Sequence, residues 1–180
     1  RARGVEFTTH GTGFQLSSTE SSGTPVRFGN IAASYKDTFG TFSPERLFTP
    51  LGSNVLEVHF FIPGSDVPAT TTGFGVVFTD VDLSDSASIE FYDRWDNLLG
   101  RHFAEAGPTE DASLSFVGVS YTDPVVARVR IYSGTHAIDD LLGLEGDPID
   151  LVVMDDFIFG EPIAQVDDCP VDIAEPFGIL

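Results

Sequence analysis

The chain has 180 residues, 42% of them apolar and 12% aromatic, enough for one domain with a substantial core; that composition excludes disorder as the main state. Nine basic against 28 acidic residues give a formal net charge of −19, a field that repels phosphate backbones and anionic lipids, so nucleic acid and acidic membranes are poor partners. Cys169 is the sole cysteine, which rules out an intramolecular disulfide and a multi-cysteine zinc site.

Short runs rich in Val, Ile, Phe and Thr alternate with Gly, Pro, Asn, Asp and Ser clusters, the pattern of a sandwich or barrel. The spacing predicts strands near 4–9, 12–17, 25–29, 55–62, 73–82, 87–92, 97–103, 113–120, 126–133 and 151–159. Arg1-Ala2-Arg3 leads into the first of these rather than into an apolar signal stretch, and no window reaches the roughly 18 apolar residues of a membrane span. The chain is therefore expected to be soluble and already trimmed, without membrane insertion. Ser17 to Gly23 and Asn30 to Pro50 lack alternation and read as long loops, which often line binding surfaces.

Phe74-Gly75-Val76-Val77-Phe78 and Leu151-Val152-Val153-Met154 are apolar on both faces, as in central strands covered twice. Val126, Arg128, Arg130 and Tyr132 alternate with Ala127, Val129, Ile131 and Ser133, as in a strand with one wet face. Asp93-Arg94-Trp95-Asp96-Asn97 reads as a hairpin loop. One short helix is expected over 136–142, and no internal repeat is visible. The expected fold is all-β: a two-sheet antiparallel sandwich of jelly-roll type over 1–165, followed by a linker or tail over 166–180.

Two aspartate pairs end the central strands. Asp80 and Asp82 continue the apolar stripe of Phe74, Val76 and Phe78; they read either as a strand end running into an Asp-Leu-Ser-Asp turn or as cation ligands. Asp155 and Asp156 point to opposite faces, so one is directed inward and needs calcium, an arginine such as Arg128 or Arg130, or backbone amides; simple exposure is the remaining reading. Calcium is the metal expected of hard carboxylate oxygens.

Catalytic signatures are weak. His10, His59, His102 and His136 are scattered, no HExxH or GxSxG occurs, and His59 reads as a half-buried structural residue. Abundant carboxylates leave a paired-carboxylate glycosidase open, but the expectation is no enzyme activity. Gly73-Phe74-Gly75 enters a strand and is not a phosphate loop. Trp95, Tyr92, Tyr121 and Tyr35 are the aromatics placed to stack on sugar rings.

The stretch from Gly73 to Asp82, through Ile89-Glu90-Phe91-Tyr92-Asp93, Leu114 to Val119 and Val126 to Ile131, to Val152-Val153-Met154-Asp155-Asp156-Phe157-Ile158-Phe159-Gly160-Glu161-Pro162 resembles a family of uncharacterised secreted bacterial β-sandwich modules, over about residues 5–162. The closing Met-Asp-Asp-Phe strand is similar to that of MAM-type and galactose-binding-like jelly rolls, and the resemblance implies a structural cation near Asp155 or Asp156. Family members carry further sequence before Gly4, which implies a processed product or excerpt. Cys169 to Leu180 resembles the opening of a dockerin-like sorting module, implying a modular exported protein. Together these readings lead to an extracellular or cell-surface module that binds carbohydrate or a surface protein and carries structural calcium. The alternative is a subunit of a filament or surface layer, joined to copies of itself by strand addition through residues 1–9 and 163–180.

Overall fold

A computed structural model describes residues 1–19, 25–44, 46–108, 111–140 and 148–165. In chain order the elements are β1 (Val5–Thr9), β2 (Gly13–Ser18), α1 (Tyr35–Thr38), β3 (Arg46–Leu51), β4 (Val55–Phe60), β5 (Ala69–Thr70), β6 (Gly73–Thr79), β7 (Ser88–Tyr92), β8 (Leu98–Phe103), β9 (Leu114–Ser120), β10 (Arg128–Tyr132), β11 (Val153–Phe159) and β12 (Ile163–Ala164). They form two antiparallel five-stranded sheets, ordered β1-β4-β10-β7-β8 and β2-β3-β11-β6-β9, with β5 and β12 as a small third pair. This is the expected jelly-roll sandwich. No helix among the described residues is long and apolar enough to cross a membrane.

The inward positions of the strands fill the space between the sheets. Leu56, Val58 and Phe60 of β4, Ile89 and Phe91 of β7, and Val129 and Ile131 of β10 meet Phe74, Val76 and Phe78 of β6 and Met154 of β11. On β4, β7 and β10 their alternation with polar neighbours fixes the register, because a slip of one residue would turn these apolar side chains to the outer face. On β10 the predicted alternation holds: Val129 and Ile131 are fully buried, while Arg128, Arg130 and Tyr132 lie on the outer face.

A second, smaller core covers the outside of the second sheet. Leu47 and Val153 face away from Phe48 and Met154 and pack with Phe28, Tyr35, Phe39 and Ile138. The expected long loop over 30–50 is therefore a lid on the sheet that ends in a strand, β3. Pro50 obscured that strand in the sequence; it is tolerated because β3 pairs with β2 along six residues but with β11 only at Phe48 and Met154.

The strand expected over 25–29 is absent. Val26 makes a single bridge to Ser18, and Arg27 and Phe28 take left-handed φ values of 40° and 59°, turning the Phe28 ring into the second core. The helix expected over 136–142 is a turn at its described residues, closed by the Asp140 N–H donating to the Ala137 carbonyl, with 141–142 outside the described residues. The tail over 166–180, including Cys169 and its dockerin-like resemblance, also lies outside them.

Phe78 is fully buried between the sheets. Phe78→Ala is expected to destabilise the domain by about 3–5 kcal/mol in urea unfolding, with the m-value unchanged.

Candidate functional site

The hairpin joining β7 to β8 is built by one carboxylate. Asp93 Oδ1 accepts the N–H groups of Trp95 and Asn97, each at 2.9 Å, and its Oδ2 accepts the Asn97 side-chain amide at 2.9 Å. Asp96 adopts φ 65°, and its carboxylate is held by Arg128 from β10. A loop so constrained fixes the direction of the side chain between its anchors. That side chain is Trp95, 69% exposed, with the Arg94 guanidinium 4.5 Å from its ring centroid. Trp95, Arg94 and Asp93 line one wall of a cleft of about 530 Å³, facing Val125, Ile163 and Gln165.

Arg128 ties this hairpin to the outer face of the first sheet. Its Nη1 donates to Glu57 Oε2 at 3.0 Å, and its guanidinium lies 3.8 Å above the Tyr92 ring. Arg130 reaches the other oxygen of Glu57 through Nε at 2.8 Å and Nη2 at 2.6 Å. Tyr92 in turn donates its hydroxyl to Glu90 at 2.6 Å. Burial pushes the Glu57 carboxyl up, but the Arg130 and Arg128 guanidinium groups outweigh it and hold its pKa below the ordinary range. His59 stands 3.8 Å from Glu57, half-buried, and burial lowers its pKa.

The other expected aromatics lie elsewhere. Tyr121 is half-buried, edge-on to Phe91 with ring centroids 6.4 Å apart. Tyr35 is enclosed in the second core, its hydroxyl donating to the Ile138 carbonyl at 2.9 Å, so it offers no ring face to a sugar. Of the four aromatics, only Trp95 stands at a cleft wall with a largely exposed ring.

The aspartate pairs occupy two separate places. At Asp155 and Asp156 the pairing of β11 with β6 shifts register, a bulge that swings both carboxylates toward residues 42–43. Asp155 Oδ2 accepts the N–H groups of Phe42 at 2.6 Å and Ser43 at 3.3 Å, and Asp156 Oδ1 accepts the Ser43 hydroxyl at 2.8 Å. Burial raises the Asp155 pKa, and the amide donors oppose that rise. With N–H and O–H donors at their oxygens, these two carboxylates clasp the lid to the closing strand. Arg128 and Arg130, considered as their partners, serve Glu57 instead.

Asp80 and Asp82 lie at the end of β6. Asp80 is 4% exposed, sits at φ 69°, and accepts the Ala112 N–H at 3.2 Å. Burial, and then the charge of Asp82, push its pKa up to about 7. The structure adds Asp150, buried beside them, whose Oδ2 accepts the N–H groups of Asp82 and Leu83. Sequence reasoning passed over Asp150 because no apolar stripe leads into it. Glu57 was missed although it alternates with Leu56 and Val58, a signal that becomes readable only once β4 is known to pair with β10.

No family model matches the chain, and no curated protein matches it. Among solved structures it is similar to the enzymatically active domain of tailspike protein 4 of bacteriophage CBA120, with 13% sequence identity and a TM-score of 0.37. The likeness covers 91% of this chain and 20% of the tailspike chain. The expectation of no enzyme activity is corrected here: a solved structure with this likeness is an enzymatically active domain, so that expectation does not stand. At that similarity the match assigns no activity either.

Because the folded pKa of Glu57 lies below its unfolded value of about 4.3, the stability it contributes is complete above that pH and is lost as the pH falls through the folded value. Glu57→Gln is expected to flatten this acid limb in unfolding titrations. At neutral pH it is expected to cost about 1–3 kcal/mol, because Arg130 loses its carboxylate partner while Arg128 keeps Asp96.

Proposed function

We propose that this domain is an extracellular carbohydrate-recognising module whose ligand lies against Trp95 in the cleft between the β7–β8 hairpin and residues 124–125 and 163–165. The observation that carries this reading is a largely exposed indole on a hydrogen-bonded, ion-paired hairpin. Sugar rings stack on aromatic faces, and a platform already fixed in place loses little entropy when a ligand arrives. Asp93, Arg94 and Gln165 beside the ring offer acceptors and donors for hydroxyl groups. Trp95→Ala is expected to weaken glycan binding at least about tenfold in calorimetry, with an unchanged melting temperature. A glycan array without a hit for the full chain, or wild-type affinity in the variant, overturns the reading.

A second reading, a subunit of an extracellular assembly, draws support from the outer face of the second sheet. Phe116 and Ile158, 60% and 56% exposed, flank a groove of about 380 Å³ floored by Gly75 and Gly118. Such apolar exposure suits contact with another copy. Concentration-dependent sedimentation that Phe116→Ser abolishes would establish it; a monomer across the accessible concentration range would remove it.

A further inference from the structure

The cleft in front of Trp95 has walls of unequal firmness. The hairpin wall is held by the three hydrogen bonds that Asp93 accepts and by the grip of Arg128 on Asp96. Pro124 and Val125 are fixed by the next residue, since the Thr71 N–H donates to the Val126 carbonyl at 2.8 Å and the Val126 N–H returns a bond at 3.1 Å. The remaining wall is β12 with Gln165. Its attachment is a pairing of two residues, Ile163 opposite Thr70 and Ala164 opposite Ala69.

The two partners in that pairing differ in what they bury. Ala69 and Thr70 are almost fully buried, so β5 belongs to the body of the domain. Ile163 and Ala164 are exposed, Ile163 by 46%, so β12 adds little apolar burial to its own attachment. A two-residue ladder with exposed side chains lies at the low end of local stability, where a segment opens without the domain unfolding. The last firm anchor before it is Gly160, whose N–H donates to the Gly73 carbonyl at 3.1 Å and whose carbonyl accepts the Thr71 hydroxyl at 2.8 Å. Among the described residues, the chain from Glu161 to Gln165 makes no backbone hydrogen bond other than those of β12 to β5. Pro162 stands between anchor and strand, and its fixed φ limits the directions a detached β12 can take.

We propose that β12 is a detachable wall of the Trp95 cleft: a sugar lying against Trp95 also seats on β12, so sugar binding and strand docking stabilise each other, and undocking of the strand releases the sugar. The inference rests on the proposed glycan binding for its ligand and adds the regulation of that site. The coupling is reciprocal, so the factor that a docked strand adds to sugar affinity is the factor that bound sugar adds to docking. Where only a fraction of the molecules has the wall in place, apparent affinity falls by that fraction. The chain runs from this wall into residues 166–180, so a partner that captures that segment, or a pull on it, acts on the cleft before it acts on either main sheet.

The test combines calorimetry with hydrogen exchange of the full chain, read by mass spectrometry on peptides covering 163–165. The probes are cellobiose, maltose, lactose and xylobiose, followed by the glycan with the strongest array signal if none of these binds. Without sugar, exchange at 163–164 is expected to be at least about tenfold faster than in β10 and β11. Bound sugar is expected to slow it at least about threefold and to leave β10 and β11 unchanged. Pro162→Gly alters no residue lining the cleft and frees the undocked strand, so it is expected to weaken sugar binding about two- to fivefold. Glu161→Gly, at an exposed position in the same hinge, serves if Pro162→Gly does not fold. Wild-type affinity in the variant, with exchange at 163–165 that sugar leaves unchanged, overturns the detachable wall while glycan binding stands. An array without a hit overturns glycan binding instead, and the wall is then judged by exchange alone. Exchange at 163–164 as slow as in β11 overturns it; fast exchange that Pro162→Gly accelerates further upholds it.

Discussion

A strand that is apolar on both faces must be covered twice, and β11 imposes that requirement on everything around it. One cover is the first sheet, against which Met154 packs; the other is the segment carrying Phe28, Tyr35 and Phe39, which closes over Val153. Apolar burial at about 25 cal/mol per Å² drives both contacts, and neither specifies position by itself. Position comes from polar groups at the margins. Asp155 holds the amides of Phe42 and Ser43, the Tyr35 hydroxyl holds the Ile138 carbonyl, and the Ala112 N–H is shared between Thr38 and Asp80.

The first sheet meets the opposite problem, since its outer face has no lid. Charge and aromatic stems cover it instead: Arg128 lies over Tyr92, and Arg101 lies over Phe103 and Tyr132. The aliphatic stems shield the sheet while the heads find carboxylates. Such a network adds little net stability compared with an apolar patch, but it specifies geometry. Here that geometry extends outward, because the guanidinium that neutralises Glu57 also grips Asp96 and so fixes the hairpin that presents Trp95.

Much of this was legible in the sequence wherever a single periodicity ruled. The alternation in 126–133 and the doubly apolar runs at 74–78 and 151–154 predicted the strands and which of them are central. β3 was hidden because Pro50 is a poor ladder residue, and only the sparse pairing on its β11 side makes it admissible. Val26 looked like a strand residue, but the left-handed φ of Arg27 and Phe28 is a tertiary demand of the second core. At the candidate site, Trp95 and the Asp80–Asp82 pair were visible because they interrupt patterns. Asp150 and Glu57 were not, since their significance lies in what stands opposite them across the sheets, and one-dimensional spacing does not encode that.

Two of the edge strands, one in each sheet, differ in kind. β8 carries Arg101 and begins beside a register shift against β7, features that discourage another strand from joining it. β9, at the edge of the second sheet, is Leu114-Ser115-Phe116-Val117-Gly118-Val119-Ser120, seven residues without a charge. Local sequence thus leaves that edge unguarded, and protection falls to the molecule as a whole. A net charge of −19 keeps copies apart over roughly a Debye length, about 8 Å at physiological ionic strength and about 3 Å in molar salt. The acidity therefore acts as colloidal insurance for a bare strand, and the ionic strength of the surroundings sets how closely two such edges can approach.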